Sequence, residues 1–261
     1  MKSAALQIAP VLRVRWSRVV FMHYRLPPAL LRAALPPGFE LEVYDGSGWL
    51  SIVAVTMRRF RTCGLRPLWC WFFPPLGEQR FLNVRTYANY GGHSGAFFLF
   101  GWLSRPWHLP LWQEPFGLSC AFAKIAYGHR HETGKFTGTV QGTTGALEYE
   151  VAYDSSKRFE RCQPGALAEF TLERYNGFYW HRGVALVFQT RHAPWRAVPV
   201  EAKARNVSLL RARWEWLSEA HLEAAHYSPG LEDVELTGAR KLEGVKRRRT
   251  HRACSAFYTM P

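Results

Sequence analysis

Apolar and polar residues alternate along many short segments of this chain, with the period of two that is typical of strands with one buried face. Residues 79–103 are predicted to be two strands joined by a glycine-rich turn, and the second strand is almost wholly apolar. Helical spacing is confined to two short stretches, residues 28–35 and 166–175. Further strands are predicted at residues 11–24, 39–44, 48–57, 118–127, 136–141, 146–153, 178–180, 184–190, 195–205 and 207–217.

Many short strands and two short helices predict a mainly β (α+β) protein, in which the sheet closes into a barrel around a central cavity. We expect one domain over residues 1–242, followed by a basic, solvated tail at 243–261 without fixed structure. Residues 104–117 and 218–242 are predicted to be loops. The aromatic, proline-bounded loop at 58–75 is expected either to cover the cavity mouth or to pack on the sheet as a plug.

The first strand of the hairpin at 79–103 carries polar residues on one face and apolar residues on the other. Asn83, Arg85 and Tyr87 share the polar face. If that face lines the cavity, Arg85 binds a carboxylate and the other two side chains add hydrogen bonds. The alternative is an internal ion pair between Arg85 and Glu173 or Glu114, because a buried arginine needs a partner. The sequence leaves both interpretations open.

Composition adds a large aromatic content and a positive charge. Hydrophobic residues make up 48% and aromatic residues 15% of the chain, which suits a core and a lined cavity. The formal net charge of +14 predicts an anionic partner, and we expect a small-molecule ligand. Nucleic-acid binding through the basic surface is an alternative that we do not favour, because the arginines are spread singly and no basic helix is evident.

The cysteine count and the N-terminus predict a cytoplasmic protein. Five cysteines without a C-x-x-C pair are typical of reduced thiols. We expect no signal peptide and no membrane span, because no apolar run is long enough. We also expect no metal site and no cofactor, since only a weak set of possible ligands, two histidines at 129 and 131 with Glu132, occurs together and no nucleotide-binding motif is present. A homo-oligomer is left open.

Four groups of motifs occur in a fixed order. They are F-M-H-Y at 21–24 with L-P-P-G at 35–38 and D-G-x-x-W at 45–49; L-N-V-R-T-Y at 82–87 with G-A-F-F at 95–98; L-E-R-Y at 172–175; and H-A-P-W at 192–195. Together they resemble the YqjF-like proteins, the uncharacterised family called domain of unknown function 2071. The resemblance spans roughly residues 15–230.

That resemblance implies the fold of acetoacetate decarboxylase, a cone-shaped double-psi-type β-barrel around a central cavity with short peripheral helices. The decarboxylase family uses a lysine that forms a Schiff base with a β-keto acid. Residues 113–121 resemble the lysine-containing motif, but Cys120 and Ala121 stand where the two lysines are expected. Cysteine forms no imine, so imine-mediated decarboxylation is not expected. Lys124 is a minor candidate to replace the lysine, since even spacing places it on the strand face of Cys120.

The remaining candidates are acid/base and binding residues. Glu173 and Glu114 are candidate catalytic carboxylates, because burial and a neighbouring arginine shift the pKa of a carboxylate and can suit it to acid/base catalysis. For Glu173 the alternative is a salt bridge that anchors a helix. Cys120 is a third catalytic candidate, although a small buried thiol is the commoner explanation.

Three further side chains, Tyr175, His192 and Trp195, are grouped with the hairpin as ligand-binding candidates. For His192 a turn-capping role is favoured. The resulting hypothesis is a protein that binds a small carboxylate or oxo compound in a central cavity, with lyase-like acid/base chemistry if it is an enzyme. A non-catalytic binding or sensing module is the alternative, and the missing lysine pair favours it.

Overall fold

The computed structural model describes residues 9–63, 77–113, 116–129 and 134–242. The strands are β1 (Pro10–Leu26), β2 (Glu40–Leu41), β3 (Gly48–Thr62), β4 (Gln79–Tyr90), β5 (His93–Leu103), β6 (Cys120–Phe122), β7 (Lys124–Tyr127), β8 (Lys135–Gln141), β9 (Ala146–Ala152), β10 (Glu160–Arg161), β11 (Asn176–His181), β12 (Val184–Arg191), β13 (Arg196–Pro199), β14 (Glu201–Asn206), β15 (His221–Thr237) and β16 (Arg240–Lys241). The helices are α1 (Pro28–Ala33), α2 (Leu109–Gln113), α3 (Leu167–Leu172) and α4 (Ser208–Arg211), with 3-10 helices at Pro106–His108 and Glu215–Glu219.

The strands form a 12-stranded sheet and a 4-stranded sheet. In the larger sheet the order β15-β1-β3-β4-β5-β11-β12 closes on itself, because β12 pairs again with β15. The closing pairs are Thr190 with Leu236 and Arg191 with Glu235. The predicted closed β structure is therefore confirmed, and a ring of strands surrounds an interior space.

Strand β3 shows why the ring strands read as continuous apolar runs. Ile52 and Ala54 belong to the core between the ring and the 4-stranded sheet β14-β9-β8-β7. Val53 and Val55 point the other way and belong to the core inside the ring. A strand buried on both faces loses the polar alternation of an exposed strand. One core therefore covers the outer face of the ring, and the other lies on the inner face that surrounds the cavity.

The C-terminal third of the domain differs from the sequence prediction. Residues 207–217 were expected to be a strand, but they contain α4 and the beginning of a 3-10 helix. The loop expected at 218–242 is wrong, because β15 runs for 17 residues there and pairs with β1. Pro229 and Gly230 interrupt the alternation of β15, which hid the strand from pattern reading. The loop expected at 58–75 is wrong at its start, because β3 runs to Thr62. Residues 64–75 and the tail at 243–261 lie outside the described residues.

Two further elements correct the expected strand pairing. The turn at Asp45-Gly46 is present, with φ values of 49° and 67°, but β2 pairs with β4 instead of forming a hairpin with β3. The single strand expected at 118–127 is two strands, β6 and β7, which belong to different sheets. The loop predicted at 104–117 contains α2, and this helix brings Trp112 to the inner face of the ring.

Candidate functional site

An apolar cavity of about 60 Å³ lies inside the ring of strands. Seven aromatic side chains dominate its wall: Trp16, Phe21, Phe81, Phe98, Trp112, Phe188 and Trp195. Asn83 and Arg85 from β4 are also part of the wall, as the alternation of that strand predicted. Among the described lining residues, Arg85 is the single charged side chain. The cavity therefore combines an aromatic wall with one cation.

Arg85 is held at the cavity wall by one backbone contact. Its Nη2 donates to the carbonyl oxygen of Thr171 at 3.0 Å, at the C-terminal end of α3. Its Cζ lies 5.8 Å from the centre of the Phe21 ring, and the face of an aromatic ring attracts a cation. Its Nε is buried and has no hydrogen-bond partner. None of the described carboxylates forms an ion pair with Arg85, so the internal bridge to Glu173 is absent.

Two more buried polar atoms of the cavity wall lack partners. The Oδ1 of Asn83 and the Nε1 of Trp112 are both unpaired, and their side chains are only 4% and 3% exposed. A buried polar atom without a partner costs free energy comparable to a lost hydrogen bond. Trp112 was missed in the sequence, because the segment around it has no strand-like or helical periodicity. Its position depends on how α2 folds back over the ring.

Tyr87 belongs to a buried chain of hydrogen bonds, which we call the histidine network. Its hydroxyl donates to the Thr171 carbonyl at 3.1 Å and also contacts the Ser51 hydroxyl. Ser51 Oγ lies 2.7 Å from His23 Nδ1, and His23 Nε2 lies 3.1 Å from His226 Nδ1. The Thr171 carbonyl only accepts, so Tyr87 must donate to it and must accept from Ser51. The same reasoning makes His23 the donor to Ser51 and His226 the donor to His23.

The histidine network lies beside the cavity without lining it. Ser51 is paired with Arg85 across β3 and β4, and His23 is paired with Ser51 across β1 and β3. Burial lowers the pKa of His23 well below its usual range, and the nearby His226 and Arg85 add to that effect. Burial also lowers the pKa of His226 to about 4. The lowered pKa values favour the neutral form of both rings. The hydroxyl of Tyr87 is already bonded to Ser51 and Thr171, so it is not free to bind a ligand.

The L-E-R-Y and H-A-P-W motifs come together at the edge of the cavity. The Oε1 of Glu173 accepts a hydrogen bond from the backbone N–H of Trp195 at 2.8 Å. Its Oε2 accepts from the hydroxyl of Tyr175 at 2.5 Å. Glu173 is absent from the cavity wall, and both of its oxygens are engaged. This carboxylate fastens α3 to the segment that carries Trp195.

His192 and Trp195 contribute to a second, smaller cavity of about 30 Å³. Arg85 and Trp195 line both cavities, whereas His192 and Arg174 line the smaller one alone. The Nδ1 of His192 donates to the carbonyl of Ala193 at 2.8 Å, as expected for a turn-capping ring. Burial lowers the pKa of His192. The structure thus places His192 next to the larger cavity, and it places Arg85 where the two cavities meet.

Cys120 and Lys124 both lie outside the cavity wall. Burial raises the pKa of the Cys120 thiol to about 12, so the thiolate needed for nucleophilic attack is not populated. Lys124 begins β7 in the second sheet and its side chain is exposed. The expectation that Lys124 shares the face of Cys120 is therefore wrong, because β6 ends between them. Glu114 lies outside the described residues, so its role stays a prediction.

Over the described ranges, no group of three or more histidine, cysteine, aspartate or glutamate side chains is placed to hold a metal ion. In the same ranges, no helix has the length and apolar character needed to cross a membrane. Cys63, Cys120 and Cys162 are free thiols.

The closed β structure and its cavity define a class of fold that known enzymes share. The enduracididine biosynthesis enzyme MppR, in complex with the condensation product of pyruvate and imidazole 4-carboxaldehyde, matches with a TM-score of 0.66 and 15% identity, over 92% of each chain. An acetoacetate decarboxylase-like enzyme from Sphingomonas wittichii RW1 matches with a TM-score of 0.62 and 16% identity, over 91% of this chain and 95% of that one. Acetoacetate decarboxylase from Legionella pneumophila matches with a TM-score of 0.56 and 15% identity, over 93% of each chain. The acetoacetate decarboxylase-like fold is thereby confirmed.

The sequence profile of DUF2071, described as an uncharacterized conserved protein, matches residues 13–232. The chain belongs to this family. It is also 32% identical over 88 residues to the uncharacterized protein YqjF of Bacillus subtilis strain 168. That match spans 34% of this chain and 34% of YqjF.

Proposed function

We propose that the larger cavity binds a small carboxylate or oxo anion through Arg85. The unpaired Nε of Arg85 carries this proposal, because it leaves a buried donor of a cation facing an apolar cavity without a described counter-ion. Leaving a buried donor without a partner costs roughly 1–3 kcal/mol, and more when the group is charged. A bound carboxylate removes that cost through charge-assisted hydrogen bonds.

The shape of the site supports a small ligand with an apolar body. Phe21, Phe98 and Phe188 enclose the space beside Arg85. An apolar wall with one charged group fixes the orientation of a ligand by its anionic end. One structural neighbour of the same fold, MppR, is described in complex with pyruvate, which is a small oxo compound. The small-molecule class thus fits both the wall and the fold.

We further propose that this binding proceeds without an imine. None of the described residues that line the two cavities is a lysine, and the exposed Lys124 lies in the other sheet. The larger cavity also has no described carboxylate, histidine or thiol in its wall. This set of side chains favours a binding or sensing module over acid/base catalysis. We keep the cytoplasmic location as part of this proposal.

A titration with pentanoate and pentanamide tests the proposal. The two compounds have the same carbon chain, and only the carboxylate carries the charge that Arg85 needs. We expect the wild-type protein to bind pentanoate about 10- to 100-fold more tightly than pentanamide, as charge-assisted hydrogen bonds imply. Equal affinities, or no pentanoate binding, would contradict the proposal.

The matched control is Arg174, a second arginine that lies close to the cavities. Its Nη1 is already paired with Glu42 at 2.5 Å, and its guanidinium stacks on Phe170. Arg174→Gln is expected to leave the preference for the carboxylate in place, whereas Arg85→Gln removes it. Treatment with sodium borohydride in the presence of pyruvate is expected to give no covalent adduct, and an adduct on Lys124 would show that imine chemistry occurs.

A further inference from the structure

We propose that the end of the cavity opposite Arg85 binds a hydroxyl group, so that the ligand is a small hydroxycarboxylate. This inference rests on the proposed function, because Arg85 has to hold the carboxylate. Its own basis is the pair of unpartnered polar atoms on Asn83 and Trp112. Both side chains are more than nine-tenths buried and both line the cavity.

The order of side chains along β4 places these atoms away from Arg85. Phe81, Asn83 and Arg85 follow each other on one face of the strand. Phe81 stacks on Trp112 with ring centres 5.8 Å apart and an angle of 16°. Trp112 therefore lies at the Phe81 end. Two residues of a strand span about 7 Å, so the distal polar atoms lie several carbon–carbon bonds from the carboxylate.

The hydrogen-bonding character of the two atoms specifies the ligand group. The indole N–H of Trp112 only donates, and the Oδ1 of Asn83 only accepts. Both are unpaired, so they do not bond to each other, and one ligand group placed between them would satisfy both. A hydroxyl is the smallest group that accepts one hydrogen bond and donates another. A keto oxygen accepts from the indole N–H but cannot donate to the Oδ1 of Asn83. A second carboxylate also only accepts, and it would face the Oδ1 of Asn83 with no cation beside it.

The space between the two ends is apolar. Val53, Phe98 and Leu118 line the cavity together with the aromatic wall and offer no side-chain hydrogen bond to a ligand. A saturated carbon chain fits such a wall, because burial of its methylene groups is favourable. The ligand class is therefore a short aliphatic acid of about four or five carbons with a hydroxyl at its far end, given the strand spacing.

The test compares acids that differ only in the terminal hydroxyl. The probes are 4-hydroxybutanoate against butanoate, and 5-hydroxypentanoate against pentanoate. Two new hydrogen bonds to otherwise unpaired groups are expected to make the better hydroxy acid about tenfold tighter than its parent acid. In a ¹H–¹⁵N spectrum, the indole N–H signal of Trp112 is expected to shift with that hydroxy acid and not with its parent. The signal is assigned by its absence from Trp112→Phe.

Variants separate this subsite from the rest of the cavity. Asn83→Leu and Trp112→Phe are expected to bind each hydroxy acid and its parent acid with equal affinity. Ser17→Ala is the matched control, because Ser17 also has a buried hydroxyl without a partner but lies outside the cavity wall. That variant is expected to keep the preference.

Three outcomes decide the matter. A hydroxyl preference that depends on Asn83 and Trp112 supports the hydroxycarboxylate class. Equal binding of both members of each pair, still dependent on Arg85, overturns the hydroxyl subsite, leaves the proposed function intact and indicates that water bridges the two atoms. Failure of every carboxylate to bind overturns the proposed function and the subsite together.

Discussion

Two groups of polar residues lie side by side on the inner face of the ring, and they differ in how their hydrogen bonds are satisfied. In the histidine network, each bonding step from His226 through His23 and Ser51 to Tyr87 ends on a protein partner. In the cavity, Asn83 and the Nε of Arg85 have none. The two groups share strands, burial and a similar apolar background.

We interpret this difference as one between polar groups with a structural role and polar groups that, under the proposed function, bind a ligand. A buried network in which each member is bonded stabilises one arrangement of the strands. Unpaired buried groups lower stability and call for an explanation, and for those at the cavity wall the explanation that we propose is a bound ligand. Arg85 joins the two groups, because its Nη2 shares the Thr171 carbonyl with Tyr87.

The largest expected effect is on ligand binding when the cavity arginine is removed. Arg85→Gln should weaken pentanoate binding about 100-fold, because charge-assisted hydrogen bonds are lost. The midpoint of thermal unfolding should change little, since the lost hydrogen bond to Thr171 is offset by removal of a buried donor that had no partner. Calorimetric titration and a thermal melt measure both quantities. A lower unfolding midpoint together with unchanged pentanoate affinity would contradict the contrast between the two groups.

The next effect is on stability when the histidine network is broken. Ser51→Ala leaves His23 and Tyr87 each without one partner, and we expect the free energy of unfolding to fall by about 1–3 kcal/mol. Ser17 provides the control, because its buried hydroxyl on β1 has no partner. Ser17→Ala is expected to leave stability unchanged or slightly higher. Urea unfolding of both variants measures the difference, and equal losses would show that the network adds nothing.

A smaller effect is the pH dependence of stability. The pKa of His226 falls from its ordinary 6.5 to about 4 in the folded state, because of burial. A lowered folded-state pKa means that the unfolded chain binds protons first. The contribution of His226 is therefore complete above pH 6.5 and is lost as the pH falls towards 4.

His226→Gln tests this pH dependence, because glutamine does not titrate. His129 has a pKa lowered to about 4 by burial and contributes in the same direction, so the informative quantity is the difference between proteins. The unfolding midpoint of the variant is expected to fall less steeply below pH 6.5 than that of the wild type. If the unfolding midpoints of the two proteins fall in parallel with pH, His226 does not titrate between pH 6.5 and 4, and the prediction is wrong.

The smallest effect concerns Cys120. Its buried thiol, with a pKa raised to about 12, is expected to react slowly with iodoacetamide in the native protein and fast after unfolding. Mass spectrometry of the labelled peptide measures both rates. Fast labelling that pentanoate blocks would instead place Cys120 in the ligand site.

The strand period predicted the part of the site that lies on one strand. Asn83 and Arg85 could be placed on one face from the sequence, because alternation is a local property of β4. The partners of these residues could not be predicted in the same way. His23 and His226 are 203 residues apart, and only the pairing of β1 with β15 brings them together.

Trp112 and Glu173 show two other limits of the sequence. Trp112 lies in a short helix within a segment that has no clear periodicity, so its place at the cavity depends on long-range packing. Glu173 was recognised as a notable carboxylate, but its partners are a backbone N–H and a neighbouring hydroxyl. Residue type alone does not distinguish such a fastening role from an acid/base role.

The most direct test of the cavity is the ¹⁵N signal of the Arg85 Nε–H group, identified by its loss in Arg85→Gln. Pentanoate should shift this signal and slow the exchange of its proton with water, because the carboxylate accepts its hydrogen bond. Pentanamide at the same concentration should leave it nearly unchanged. A signal that ignores pentanoate while the acid binds elsewhere on the protein would contradict the assignment of Arg85 as the anion-binding residue.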